Sequence, residues 1–220
     1  MRRRALLGGL AGLALAPAAV AAGPQRVPLG DAFLFLQPYW ELPPAQRDRF
    51  TLAYLAVRKK QLAPDARAVI VGADGARTPI AADANSAFTA LPSLAQLKSK
   101  ARFEFDGPPF TFALELRAAL APAERVPVAE LAAALAQVNA ALETFAEGAA
   151  VPKMTAAYFP GAGTGQALAA DGAAHPLPIF AFDTLGPTPY LEPAKAAGAV
   201  TVALAKAPTR IVLAGRPKRA

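Results

Sequence analysis

Apolar positions between residues 128 and 147 recur at helical spacing. Val128, Leu131, Leu135, Val138, Leu142 and Phe145 stand three or four residues apart, which puts them on one stripe of a helix. Pro127 near its start, Glu130 in its first turn and Gly148 at its end suit the two poles of that helix. Leu29, Phe33, Leu36 and Trp40 follow the same spacing, but Pro38, Pro43 and Pro44 break it into short pieces.

Elsewhere the period falls to two. The stretch 50–57 alternates, with Leu52 and Tyr54 against Thr51 and Ala53, and 68–71 is a short apolar run. That run leads into Asp74-Gly75, a hairpin signal, and the chain returns over 77–82. Arg102–Phe105 and Phe110–Leu116 alternate on either side of Asp106-Gly107-Pro108-Pro109. Near the end, 200–204 and 209–213 read the same way across Pro208. Sequential strands with tight turns predict antiparallel pairing.

The chain also repeats itself. Arg26-Val27-Pro28-Leu29 with Asp31 recurs 99 positions on as Arg125-Val126-Pro127-Val128 with Glu130. Ala73-Asp74-Gly75-Ala76 with Pro79 recurs 97 positions on as Ala170-Asp171-Gly172-Ala173 with Pro176. At that second offset Pro92 falls on Pro189, Lys98 on Lys195 and Leu116 on Leu213. The expected fold is therefore α+β: two tandem pseudo-repeats, each a helical segment followed by about five short antiparallel strands, β-sandwich-like. The predicted layout is a signal peptide at 1–22, a first unit at 23–124, a second at 125–214 and a basic tail at 215–220.

Composition narrows the chemistry. The 220 residues contain no Cys and one His, so disulfides, thiol nucleophiles, Cys-bound zinc and His-rich metal sites are excluded. The hydrophobic fraction of 54% is ample for a core. At the N-terminus Arg2, Arg3 and Arg4 precede a Leu/Ala/Gly run, and Val20-Ala21-Ala22 offers small residues for cleavage before Gly23, the pattern of an export signal. A Sec or a twin-arginine route fits, and the expected destination is the periplasm or beyond. Removing those 22 residues takes the formal charge from +7 to +4. A mildly basic exported protein meets envelope polymer, lipid and other proteins as partners and no nucleic acid; no transmembrane span is expected in the mature chain.

No complete catalytic set is visible, and neither a metal nor a cofactor is expected. His175 has no nucleophile in a recognisable setting, although it is the residue a hydrolase would use as base. Gly161-Ala-Gly163-Thr-Gly165 lacks the Lys-Ser/Thr ending of a P-loop and reads as a turn. Two clusters qualify as binding candidates. Phe33, Phe35, Tyr39 and Trp40 are aromatics in a proline-rich stretch, able to form a ligand groove or a core. Arg58, Lys59, Lys60, Lys98 and Lys100 are candidate anion contacts.

The stretch Leu91-Pro92-Ser93-Leu94-Ala95-Gln96-Leu97-Lys98, running into Arg102-Phe103-Glu104-Phe105, resembles a family of uncharacterised exported proteins of Gram-negative bacteria. Those proteins pair an N-terminal helix with strands, so the resemblance implies a periplasmic location and no particular activity. The function expected is a non-enzymatic binding or structural module for an envelope component or partner protein. A periplasmic hydrolase using His175 and a carrier of a hydrophobic small molecule are the alternatives.

Overall fold

The computed structural model describes residues 26–145, 152–182, 185–196 and 198–215. The expected signal peptide, Gly148 and the tail from Arg216 lie outside the described residues. The protein is a mixed α+β structure whose strands, mostly antiparallel, form three sheets. It divides into two compact units: residues 26–43 with 52–114, and residues 44–51 with 115 to the end of the described chain.

The first unit opens with β1 (Arg26–Pro28), α1 (Leu29–Ala32) and α2 (Leu36–Glu41). The expected proline-broken helix is two short helices, and Phe35 in the left-handed region (φ 66°) separates them. Pro38 is tolerated because it sits in the first turn of α2, where its missing N–H has no intrahelical role. Then come β2 (Phe50–Arg58), β3 (Gln61–Leu62), β4 (Arg67–Val71) and β5 (Arg77–Ala81). The helix α3 (Leu94–Lys98) starts at a reciprocal cap, in which the Ser93 hydroxyl accepts from the Gln96 N–H and the Gln96 side chain accepts from the Ser93 N–H. The strands β6 (Arg102–Phe105) and β7 (Thr111–Ala118) follow, the latter passing into the second unit at residue 115.

The second unit continues with β8 (Arg125–Pro127), α4 (Val128–Phe145), β9 (Ala156–Tyr158), β10 (Gly165–Ala169) and β11 (Ala174–Pro176). It finishes with β12 (Ile179–Phe182), β13 (Gly186–Leu191), β14 (Ala199–Leu204) and β15 (Val212–Ala214). The helix α4 buries the expected stripe: Leu131 and Val138 are wholly enclosed and Val128, Leu135 and Leu142 nearly so, against β8, β9 and β14. Each such side chain contributes about 1.5–3 kcal/mol of burial.

Each unit holds a complete four-stranded sheet, ordered β1-β6-β4-β5 in the first and β8-β14-β10-β11 in the second. Across the first, Val27 lies opposite Phe103, Phe103 opposite Ile70 and Ile70 opposite Thr78. Across the second, Val126 lies opposite Val202, Val202 opposite Ala167 and Ala167 opposite His175. Both Asp-Gly hairpins close alike: Asp74 accepts from the Ala76 N–H at 3.0 Å, and Asp171 from the Ala173 N–H at 2.9 Å. Gly75 and Gly172 take the positive φ (84° and 87°) that these turns require.

The other strands belong to the third sheet. In the first unit β3, β2 and the first half of β7 are neighbours; in the second the order is β12-β13-β9-β15 and the second half of β7. Thus β6 and β7, consecutive in the chain, do not form a hairpin. Gly107 (φ 108°) and the donorless Pro108-Pro109 carry the chain out of one sheet and into another.

Glu104, buried in the first unit's sheet, is clamped by Arg26 from β1 and by Arg77 from β5 at 2.8 Å. Burial pushes its carboxyl up, but the Arg77 and Arg26 guanidiniums outweigh that and hold it below the usual glutamate range. A depressed folded pKa stabilises the fold above the unfolded value and loses that contribution as pH falls through the folded one. Glu104→Gln should therefore lower Tm most near pH 7, and the gap from the parent should close on acidification into the carboxylate range. A gap in Tm that stayed constant from pH 7 to pH 3 would contradict the assignment.

Candidate functional site

A groove of about 390 Å³ opens on the second unit, within the range that holds small ligands. Four separate segments line it: Ala167 of β10, His175–Pro178 from the end of β11 towards β12, Tyr190–Glu192 at the end of β13, and Lys195, Ala196 and Ala199 up to the start of β14. Local sequence explains each wall. Gly165 admits Leu177, because a Cβ there would meet the Leu177 and Leu204 side chains at 3.0 and 2.7 Å. The Leu177 N–H then donates to the Gly165 carbonyl at 2.9 Å. Pro193 starts a single 3-10 turn over 193–195, which folds Lys195 back on Glu192.

That fold-back sets the electrostatics. Lys195 Nζ and Glu192 Oε2 are 2.7 Å apart; the glutamate side chain is only 12% exposed, the lysine 55%. The acid thus lies under the cation, and the ammonium is the more accessible charge. Tyr190 stacks on Tyr158 (centroids 5.2 Å apart), which belongs to the second unit's core with Ala156, Phe182, Val212 and Ala214. The Tyr158 hydroxyl donates to the Gly215 carbonyl at 3.0 Å. Burial, with smaller contributions from Tyr190 and Glu192, pushes it above the usual tyrosine range, so it stays neutral beneath the groove. Apart from His175, the remaining walls are alanine, proline and leucine. No serine, threonine or cysteine occurs among the described lining residues.

His175 is exposed on β11 and lines this groove. The glycine cluster is turn chemistry: Gly161 (φ 81°) and Gly163 (φ 78°) shape the approach to β10, and Gly165 makes room for Leu177. The aromatic candidates lie in the first unit. Phe33 is core, its ring against Tyr54, Phe103 and Phe112 at 5.0–5.8 Å. Tyr39 is buried and Phe35 half-buried. Trp40 is half-buried too, its indole N–H donating to the Pro92 carbonyl at 3.1 Å.

Of the basic candidates, Arg58 donates through Nη1 to both Asp65 carboxylate oxygens at 3.0 and 3.2 Å and Lys98 pairs with Glu41 at 2.8 Å. Those contacts hold the two carboxyls below their usual ranges. Lys59 and Lys60 form the exposed two-residue turn between β2 and β3, both at positive φ (51° and 65°). Positive φ at both central positions belongs to a type I′ hairpin, usually built from Asn-Gly. Lys100 is exposed ahead of β6. The structure sets these cations on separate elements, the hairpin end and the residues around α3.

Sequence reasoning weighed His175 but missed Tyr190, Glu192 and Lys195. The available signals were the Glu192-Pro193-Ala194-Lys195 spacing and the proline-flanked His175-Pro176-Leu177-Pro178. Among the described residues no group of three or more His, Asp or Glu could hold a metal ion, and no helix is long and apolar enough to cross a membrane. No protein-family model, curated protein or solved structure matches this chain.

Proposed function

We propose that this chain is an exported, non-enzymatic binding protein built from two copies of one structural unit, with its ligand held in the groove of the second unit. The groove carries the reading: apolar walls with one accessible charge at 192–195 suit holding a small molecule. Its described lining brings no serine, threonine or cysteine nucleophile to His175. Among the expected alternatives this favours the small-molecule carrier, with the site moved from the aromatic segment 33–40 to the second unit. Export rests on the Arg2–Ala22 segment.

Duplication is supported by register. The positions aligned across the first four-stranded sheet (27, 103, 70 and 78) correspond to 126, 202, 167 and 175 in the second. The offsets are 99 for the first two positions and 97 for the last two; those at 27, 70 and 78 equal the sequence repeats, whereas the repeat at 97 sets Phe103 on Val200, two residues from its structural counterpart Val202. On this reading His175 occupies the position of Thr78, a hairpin residue.

Native mass spectrometry of protein recovered from the cell envelope tests the binding role. The expected spectrum shows a bound small molecule that is absent from an Ala196→Trp variant, whose indole would fill the groove. A spectrum of bare protein, or an adduct indifferent to Ala196→Trp, would reject it. Hydrolysis of a nitrophenyl ester that vanished in His175→Ala would replace binding with the hydrolase alternative.

A further inference from the structure

We infer that the groove of the second unit takes a linear aliphatic carboxylate, its alkyl chain on the apolar walls and its carboxylate on Lys195. The inference rests on the reading of that groove as the binding site.

Three observations select this class. The first is charge. Glu192 lies beneath Lys195 and engages one of the ammonium's three N–H donors, so the accessible counter-charge is positive. Two of the ammonium's N–H donors remain for the oxygens of a ligand, and no arginine stands among the described lining residues to fork a phosphate. His175, on the same lining, adds a ring nitrogen able to donate to an oxygen.

The second is the backbone. Pro176 and Pro178 have no N–H, and that of Leu177 is spent on the Gly165 carbonyl. The wall from 176 to 178 thus offers no donor to an added β-strand, which disfavours a peptide and leaves recognition to side chains.

The third is apolar surface. The exposed large hydrophobics among the described residues are Ile179 and Val200, at 52% and 50%. Each stands next in the chain to a lining residue, Pro178 and Ala199 respectively. Val200 is the unpaired residue of a β-bulge: Thr201 lies opposite Leu168 and Ala199 opposite Ala169. The lining itself is largely alanine, proline and leucine, a surface suited to an alkyl chain.

Calorimetric titration with sodium decanoate, 1-decanol, decylammonium chloride and decyl phosphate, all below their aggregation concentrations, tests this. Decanoate should bind about two- to fivefold more tightly than decanol, the scale of one partly exposed charge contact. Lys195→Met should erase that preference, Lys195→Arg should keep it, and Ala196→Trp should abolish binding of both. Equal affinity for decanoate and decanol, tighter binding of the ammonium or phosphate probe, or a preference surviving Lys195→Met would overturn the carboxylate assignment and leave the groove as a binding site. Binding of every probe that survived Ala196→Trp would overturn the groove reading itself. Failure of all four probes to bind would overturn the assignment.

Discussion

Phe103→Ala should destabilise the first unit by about 3–5 kcal/mol, the usual cost of removing a fully enclosed phenylalanine. Phe103 is 0% exposed, and its ring meets those of Phe33, Phe88, Phe105, Phe110 and Phe112 with centroids 5.2–6.4 Å apart. These rings come from β6, from β7 and the residue before it, from the loop after β5 and from the segment between the first two helices. Truncation therefore removes one partner from every member of the cluster, and aromatic pairs add to simple area burial. Phe105 is the control: it touches Phe103 and Phe110 but is half-buried, so Phe105→Ala should cost clearly less. Urea denaturation read through Trp40, in the same unit, would measure both. Equal losses would mean that the cluster is not centred on Phe103. A loss this large is a substantial part of the stability of an ordinary domain.

The alternation of Arg102–Phe105 makes Phe103 visible as a core residue from sequence, and the same kind of local pattern served elsewhere. The helix α4 follows its own three-four spacing, and both Asp-Gly hairpins form where their turn chemistry places them. What local pattern does not carry is the choice of strand partner. Phe110–Leu116 alternates as well as any strand, yet Pro108 and Pro109 send it to another sheet instead of pairing it with β6. The Lys59-Lys60 turn was equally hidden, because its positive φ values come without the glycine or asparagine that would announce them.

The groove was least legible for a related reason. Its lining comes from four segments spread over 167–199, none of which carries a motif of its own. His175 is visible as the one histidine, but the neighbours that give it a context are set by sheet register: Ala167 opposite it, and the 3-10 turn that stacks Lys195 on Glu192. The aromatic cluster at 33–40 attracted a ligand reading because four aromatics in eight residues look alike in a core and on a binding face. Only burial separates the two, and Phe33 and Tyr39 are inside.

Glu115 is the extreme case of a residue whose role sequence could not show, and removing it should be as damaging as removing Phe103. Its side chain is 3% exposed. It grips Arg210, 95 residues away, through Oε1–Nε at 2.7 Å and Oε2–Nη2 at 3.2 Å, and takes Arg117 Nε at 2.6 Å. One carboxylate therefore serves two guanidiniums. Glu115→Ala leaves Arg210, itself buried, with no counter-charge, a change worth about 3–5 kcal/mol in comparable buried pairs. Glu115→Gln should fall between the parent and Glu115→Ala, since the amide oxygen still accepts one hydrogen bond but brings no charge. The paired variant Glu115→Leu with Arg210→Met should recover most of the loss, because the cost lies in stranding a buried charge more than in losing the attraction. Denaturation midpoints of the three variants decide the matter: if the double variant were no more stable than Glu115→Ala, the buried charge would not be the source of the loss. Because Glu115 and the groove belong to the same unit, Glu115→Ala should also weaken ligand capture as that unit unfolds, whereas Phe103→Ala acts on the other unit and gives the comparison.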